Sequence, residues 1–216
     1  MELATGRGGN SLYLANRNSD IKFYGIDLSP GQLYFAHKNR KGSKNYIPEQ
    51  GDYSDLSRYQ NDFFDVIFIV EALCHSTEKA KVLGQVFQKL KKGGYFIIFD
   101  AYRSDKELDA SEIIACELIE KGMAVEIFET YSSLQKAISK TGFQIVYEED
   151  VSQYIIPTLE KLARLARKFV KMGFFARIIS KILPKAFLFN VAPAYLMPTI
   201  MRDGIGEYKT TVLQKS

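Results

Sequence analysis

The sequence predicts an α/β fold with a doubly wound, mostly parallel sheet, and three observations support this. Short apolar runs alternate with helical patterns over the first 150 of the 216 residues. Two of these runs, Val66–Val70 and Tyr95–Phe99, are almost continuously apolar, as is typical of strands covered by helices on both faces. A glycine-rich turn, 6–9, separates the first apolar stub from the first helical pattern. This alternation favours a parallel sheet.

The elements of the first half follow one another in βα order. Strands are predicted at Lys22–Asp27, Asn45–Gln50, Phe64–Glu71 and Gly94–Tyr102, and helices at Asn10–Asn18, Pro30–Arg40 and Glu78–Leu90. Ser29 is a typical N-cap residue, and Pro30 suits the first helical position. The segment Lys91–Gly94 predicts a basic helix end followed by a glycine stop.

The pattern changes after Asp105. Helices are predicted at Glu107–Lys121 and Tyr131–Lys140, and strands at Phe143–Val151 and Glu207–Gln214. Residues 157–202 lack strand character, and we expect two or three helices there, broken by Pro184, Pro193 and Pro198. We therefore predict a core over residues 1–156, a basic helical lid or insertion over 157–205, and a final core strand over 206–216.

Composition restricts the class of protein. With 46% apolar and 25% charged residues, the chain can bury an ordinary core. Cys74 and Cys116 are too few for a disulfide framework, and histidine and cysteine are too sparse for us to expect a metal site. Neither a signal-peptide pattern nor a run of about 18 apolar residues is visible, so the expected location is cytoplasmic.

Charge is distributed unevenly along the chain. Residues 1–156 carry 18 Lys and Arg against 22 Asp and Glu, whereas residues 157–216 carry 11 against 3. A helix starting at Pro157 would place apolar residues on one face, namely Leu159, Leu162, Ala166, Phe169 and Val170. Basic residues would lie roughly opposite, namely Lys161, Arg164, Lys168 and Lys171.

We interpret this basic block as a lid over a substrate pocket. Peripheral contact of residues 157–190 with an anionic membrane is the alternative, and both interpretations are compatible. Since no stacking motif accompanies the charge, nucleic-acid binding is not expected.

Several motifs resemble those of class I S-adenosylmethionine-dependent methyltransferases. Glu2-Leu-Ala-Thr-Gly6-Arg-Gly8 resembles the acidic-x-Gly-x-Gly-x-Gly loop of that family, with Ala4 in place of the first glycine. Gly25-Ile-Asp27-Leu-Ser29 resembles the end of its second strand, where the acid holds the ribose hydroxyls. Gly51-Asp52-Tyr53 resembles its adenine site. Phe64–Glu71 followed by Leu90–Gly94 resembles strand four and the turn into strand five.

The resemblance implies a Rossmann-like sheet of seven strands with an antiparallel last strand, and S-adenosylmethionine as cofactor. The implied cofactor-binding residues are Glu2, Ala4, Gly6, Gly8, Asp27, Leu28, Asp52, Tyr53 and Glu71. Glu71 and His75 would face the methyl acceptor as catalytic residues, with His75 taking up a proton. The segment Glu71–His75 also resembles sterol and quinone C-methyltransferases, which implies an apolar or lipid-like small-molecule acceptor.

Because two or three strand residues precede the loop, we expect the first strand to be short or missing and the chain to be N-terminally truncated relative to the family. Two alternative functions stay open. An NAD-dependent oxidoreductase would need glycine in place of Ser11 to complete Gly-x-Gly-x-x-Gly. A non-catalytic module that keeps the fold and binds a membrane or a partner is favoured modestly by Ala4, the expected truncated start and the basic C-terminal region.

Overall fold

The computed structural model describes residues 1–173, 176, 180–182 and 188–216. The strands are β1 (Glu2–Leu3), β2 (Phe23–Asp27), β3 (Tyr46–Gln50), β4 (Phe64–Val70), β5 (Leu90–Arg103), β6 (Phe143–Asp150) and β7 (Gly206–Lys215). The helices that we label are α1 (Gly9–Ala15), α2 (Pro30–Asn39), α3 (Lys79–Lys89), α4 (Ala110–Met123), α5 (Tyr131–Ile138), α6 (Ser152–Lys171) and α7 (Val191–Arg202). A short 3₁₀ turn, Leu73–His75, follows β4.

The strands form one sheet in the order β3-β2-β1-β4-β5-β7-β6. β1 pairs in parallel with both β2 and β4, and the β2–β3 and β4–β5 pairs are parallel as well. The last strand, β7, is antiparallel. The predicted fold class is therefore confirmed, and so is a short first strand. Leu3 of that strand is fully buried between its two neighbours.

The chain forms two compact units. The first comprises residues 1–100, 135–148 and 210–216 and contains most of the sheet. Its central strands alternate in burial, and the side chains of Ile67, Ile69, Phe96 and Ile98 are completely buried in its core. Successive residues of a strand point to opposite faces, and Ile67 pairs with Phe96 and Ile69 with Ile98, so these four side chains form two neighbouring rows on one face of the sheet.

The second unit comprises residues 101–134 and 149–209 and is mainly helical. Helix α7 packs against both α4 and α6. Gly122 allows the close approach of α4, because a Cβ there would overlap the ring of Pro193. Asp109 caps α4 with a complete capping box: its carboxylate accepts from the Glu112 backbone N–H, and the Glu112 carboxylate accepts from the Asp109 N–H. This cap sets the helix start three residues after the predicted one.

Three predicted boundaries are wrong. The segment Lys91–Gly94 lies within β5, which starts directly after α3, so the predicted glycine stop does not exist. Pro193 and Pro198 lie within α7 rather than breaking it. Pro193 is in the first turn, where a missing N–H costs no intrahelical bond. Pro184 lies outside the described residues.

The predicted apolar face of α6 is wrong in part. The helix starts at Ser152, with Pro157 inside it, and it buries Leu159, Ala163 and Ala166. Leu162 is 43% exposed and Val170 is 59% exposed, so neither belongs to the buried face. Helix α7 packs against α6, and the small side chains of two alanines on this face allow a neighbouring helix to approach.

Candidate functional site

The Glu2 carboxylate organises the glycine-rich loop from inside. The residue is 2% exposed, and its carboxylate accepts bonds from Thr5 Oγ1 (2.7 Å), Asn10 Nδ2 (3.0 Å), Ser11 N (3.2 Å) and Ser11 Oγ (2.5 Å). Several donors offset the cost of burying such a group, and bonds to a charged acceptor are stronger than neutral ones. Glu2 therefore fixes the loop between β1 and the start of α1.

Thr5 continues this network toward the neighbouring strands. Its N–H donates to Ile26 O (2.9 Å), and its hydroxyl oxygen lies 2.9 Å from the Tyr46 hydroxyl. Since Thr5 gives its single hydroxyl proton to Glu2, Tyr46 is the donor in this pair. Burial raises the pKa of Tyr46 to about 12. A Cβ on Gly8 would lie 2.8 Å from the Tyr46 ring, so Gly8 permits this packing.

The loop backbone follows an unusual path. Ala4, Gly6 and Gly8 all have positive φ values, of 52°, 56° and 79° respectively. Glycine adopts this conformation freely, whereas it is strained for alanine. No heavy atom lies within 4 Å of a Cβ built on Gly6. The loop thus leaves open space beside Gly6, which a ligand can use.

Asp27 joins this loop to the end of β2. Its Oδ2 accepts from the Gly6 N–H (2.7 Å), and its Oδ1 accepts from the Ser29 N–H (2.9 Å). The Asp27 carbonyl also accepts from Gly51 N–H (3.0 Å), which holds the end of β3 alongside. A carboxylate oxygen can accept more than one bond, so a ligand hydroxyl can still bind here. Leu28, beside it, is 69% exposed.

Asp52 and Tyr53 follow β3. Asp52 is exposed, and its Oδ1 accepts from the Ser54 N–H (2.7 Å) in an Asx turn. The Tyr53 hydroxyl donates to Ala72 O (3.1 Å), so this half-buried side chain bridges the segments after β3 and β4. Burial, aided by nearby Cys74, Asp52 and Asp100, raises the pKa of Tyr53 to about 12.

Glu71 and His75 follow β4. Glu71 is exposed and has a φ of 51°, and its N–H donates to Phe99 O (2.8 Å). Non-glycine residues held at positive φ cluster at functional sites, where the surroundings fix them. His75 is exposed at the end of the 3₁₀ turn. Burial and, to a smaller extent, the negative charge of Asp100 raise the pKa of the adjacent Cys74 thiol. The thiol therefore stays protonated and is a poor nucleophile.

Parallel strands bring these segments to one edge of the sheet. Direct hydrogen bonds link Gly6 with Asp27, Asp27 with Gly51, and Tyr53 with Ala72. The carboxyl edge of such a sheet is where α/β proteins bind their ligands. The sequence did not indicate Tyr46, because its place beside the loop depends on packing between β2 and β3. Asn10 and Ser11, at the start of the predicted helix, were also missed as partners of Glu2.

The second unit contains an apolar cavity of about 50 Å³. Its lining is almost entirely apolar and includes Tyr102, Cys116, Ile119, Phe128, Met197 and Ile200. A volume of this size exceeds that needed for a single water molecule, but its walls offer few polar partners to hold water. Burial raises the pKa of the Cys116 thiol, in keeping with an apolar surrounding.

Two further properties concern the described part of the chain. In that part, no group of three or more His, Cys, Asp or Glu side chains could hold a metal ion. In the same ranges, every helix is too short or too polar to span a lipid bilayer.

The fold defines a Rossmann-like protein whose glycine-rich loop lies at the carboxyl edge of its sheet. Residues 1–163 match the family model described as "Methyltransferase domain", and the chain belongs to this family. It is 28% identical over 161 residues to a phosphoethanolamine N-methyltransferase of Triticum aestivum, covering 74% of this chain and 31% of that protein. It is 26% identical over 176 residues to sterol methyltransferase-like 2 of Botryococcus braunii, covering 76% of this chain and 45% of that protein. The chain thus spans about a third to a half of these relatives.

Solved structures share the fold. A protein assigned as a sarcosine dimethylglycine methyltransferase from Galdieria sulphuraria superposes with a TM-score of 0.80 at 17% identity, covering 100% of this chain and 76% of that one. The second example is the geranyl diphosphate C-methyltransferase of Streptomyces coelicolor, solved with Mg²⁺, geranyl diphosphate and S-adenosylhomocysteine. It superposes with a TM-score of 0.75 at 14% identity, covering 100% of this chain and 71% of that one. At these identities the likeness concerns the fold.

Proposed function

We propose that this chain is an S-adenosylmethionine-dependent methyltransferase acting on an apolar or lipid-like small molecule. The observation that carries the cofactor assignment is the bond between Asp27 Oδ2 and the Gly6 N–H beside open space. A carboxylate fixed beside an open glycine loop suits a ligand that has both a ribose diol and an amino-acid part.

Each candidate residue has a distinct part in this site. The loop at Ala4, Gly6 and Gly8, shaped by Glu2, would lie against the cofactor backbone. Asp27 would accept the ribose hydroxyls, with the exposed Leu28 covering the ring next to them. Asp52 would accept from the adenine amine, and Tyr53, fixed by its bond to Ala72, would flank the base.

The chemistry makes modest demands on the protein. S-adenosylmethionine, when bound, supplies a methyl group already activated by the sulfonium charge. The chain must therefore orient the acceptor and exclude water from it. Glu71, held at the end of β4, would orient the acceptor. The His75 imidazole would take up the proton that the acceptor loses.

The apolar cavity supports the acceptor class. Methyltransferases named for sterols, phosphoethanolamine and geranyl diphosphate are among the similar proteins, so the family accommodates both apolar and polar acceptors. In this chain the cavity walls are apolar side chains such as Ile119 and Met197. A cavity of about 50 Å³ has room for only a small apolar group of an acceptor, whose burial is favourable by about 0.8 kcal/mol for each CH₂.

A two-part experiment tests the proposal. Calorimetric titration with S-adenosylhomocysteine tests the cofactor site, and transfer of a labelled methyl group to a panel of isoprenoid, sterol and phosphoethanolamine acceptors tests the acceptor class. Cys116→Phe should fill the cavity and raise KM for an apolar acceptor at least tenfold, because a small apolar group of the acceptor loses its place. Glu117→Phe, on the exposed side of the same helix, is the matched control.

The outcomes separate the two parts of the proposal. A folded chain that binds no S-adenosylhomocysteine would argue against the enzyme assignment and favour a non-catalytic module. Cofactor binding with methylation of phosphoethanolamine alone would leave the enzyme class standing and overturn the apolar acceptor.

A further inference from the structure

Helix α6 carries an exposed apolar stripe that the core of the second unit does not use. Leu162, Leu165, Phe169 and Met172 are spaced by three, four and three residues, which places them along one side of the helix and its C-cap. Leu162, Leu165 and Met172 are 43%, 57% and 42% exposed. The buried side, with Leu159, Ala163 and Ala166, lies on a different side of the helix.

Cations border this stripe. Residues 160–171 contain five of them, all exposed: Lys161, Arg164, Arg167, Lys168 and Lys171. In the ranges that the structure describes, none of the five forms an ion pair with a carboxylate. The single carboxylate of this stretch, Glu160, pairs with Arg202. The helix therefore presents an uncompensated positive field next to exposed hydrocarbon.

We propose that this α6 surface, formed by the stripe and its bordering cations, docks on the surface of an anionic lipid bilayer. A bilayer offers both things that the surface needs: an apolar layer for the leucines and methionine, and phosphates for the cations just above it. Lysine and arginine stems can extend along the apolar layer while their charged ends reach the headgroups.

Other occupants match the surface less well. A nucleic acid would satisfy the cations and leave the leucines in water, because its phosphates and sugars offer no continuous apolar layer. A second copy of this chain would bring the same positive surface against itself in a two-fold contact, and like charges would repel. An anionic bilayer satisfies both the charge and the hydrocarbon.

Vesicle co-sedimentation of the full chain tests this inference without cofactor or acceptor, so its result does not depend on the proposed function. Binding should be strong with vesicles of phosphatidylcholine plus phosphatidylglycerol, weak with phosphatidylcholine alone, and reduced at high salt. Near an anionic membrane each cation contributes about fivefold to affinity. Lys161→Ala combined with Lys168→Ala should therefore weaken binding about 25-fold.

Matched variants separate the surface from overall charge. Lys38→Ala combined with Lys44→Ala removes the same charge from exposed positions of the first unit and should leave binding within about twofold of the wild type. Leu165→Ser removes exposed hydrocarbon, not charge, and should weaken binding about tenfold. Circular dichroism confirms that each variant is folded.

Three results would overturn the inference. One is equal binding to neutral and anionic vesicles. Another is an equal loss of binding in the two lysine pairs, which would assign the effect to net charge alone. The third is a stable dimer, detected by light scattering, that Leu165→Ser dissociates, because a second copy would then be the occupant.

Discussion

Asp27 Oδ2 lies 2.7 Å from the Gly6 backbone nitrogen and accepts its N–H, so a side chain at the end of β2 fixes the loop that follows β1. The two residues are 21 positions apart and meet because β1 and β2 are parallel neighbours, with Glu2 paired to Gly25. The carboxylate thus holds the loop, and in the proposed function it has a second task, accepting hydroxyl groups of the cofactor. Substitutions can separate these tasks.

Asp27→Ala should weaken binding of S-adenosylhomocysteine by about 2 kcal/mol or more, measured by calorimetric titration, because it removes charge-assisted hydrogen bonds. Asp27→Asn should lose less, since its amide oxygen can still accept from the Gly6 N–H. Asp20→Ala removes an exposed carboxylate elsewhere and serves as the control. If Asp27→Ala bound S-adenosylhomocysteine with unchanged affinity, Asp27 would not be a cofactor-binding residue.

The buried Glu2 carboxylate should matter for stability more than its position near the N-terminus suggests. Glu2→Ala leaves the buried donors of Thr5 and Ser11 without their acceptor, and we expect a loss of about 3 kcal/mol in the free energy of unfolding. Glu2→Gln keeps one acceptor oxygen and should cost about half as much. Urea denaturation measures both values. A loss in Glu2→Ala with none in Glu2→Gln would show that packing, which glutamine preserves, is the main contribution rather than the charged acceptor.

Ala4 occupies a position where glycine is favoured. Its φ of 52° is in the left-handed region, which costs a non-glycine residue about 1–2 kcal/mol. Ala4→Gly removes this strain, although glycine makes the unfolded chain more flexible, at a cost of about 0.5–1 kcal/mol. We expect a net gain of about 0.5 kcal/mol in the free energy of unfolding, measured in urea.

Ala80→Gly is the matched control for this prediction. Ala80 is exposed within helix α3, where the same substitution has no strain to relieve. It should therefore destabilise the protein by up to about 1 kcal/mol, the cost of glycine inside a helix, with a smaller loss expected in this first turn. If both variants lose stability equally, the backbone of Ala4 is not strained in solution.

The success of sequence reasoning varied with the kind of interaction. The βα order and the motifs of the family resemblance follow from local patterns, and the seven-stranded sheet was implied by that resemblance; all three are confirmed. Predictions from local patterns failed where contacts between residues far apart in the sequence determine the structure. The buried face of α6 is narrower than its periodicity predicts: only Leu159, Ala163 and Ala166 are buried along this helix, which packs against α7. The link from Thr5 to Tyr46 spans 41 positions, which no motif encodes. The candidate cofactor and catalytic residues stay predictions.

Tyr46 should give the protein a distinctive alkaline stability profile. Burial raises its pKa from 10.0 to about 12, so its contribution to stability is fully present below pH 10. As the pH rises from 10 through about 12, the unfolded chain loses the proton first, and up to about 2 kcal/mol of stability is lost.

Tyr46→Phe isolates this effect. At neutral pH the variant should be about 1 kcal/mol less stable, because Thr5 loses its donor. Above pH 10 the difference should shrink or reverse, since phenylalanine has no proton to lose. Urea denaturation across this pH range measures it, and Tyr34→Phe, at a residue that is 63% exposed, is the control. Parallel profiles of wild type and Tyr46→Phe would contradict the raised pKa.

His75 is the residue proposed to move a proton, and it offers a clean test because the chain has only one other histidine. His75→Ala should lower kcat about 100-fold, the usual contribution of a general base, while leaving S-adenosylhomocysteine affinity unchanged. His37→Ala, exposed on α2, should change neither quantity. The measurement is steady-state methyl transfer with an accepted acceptor, alongside calorimetric titration of the same preparations. A fall in cofactor affinity that matches the fall in kcat would give His75 a structural part in the cofactor site. An unchanged kcat would leave acceptor orientation by Glu71, without proton transfer to His75, as the contribution of this segment.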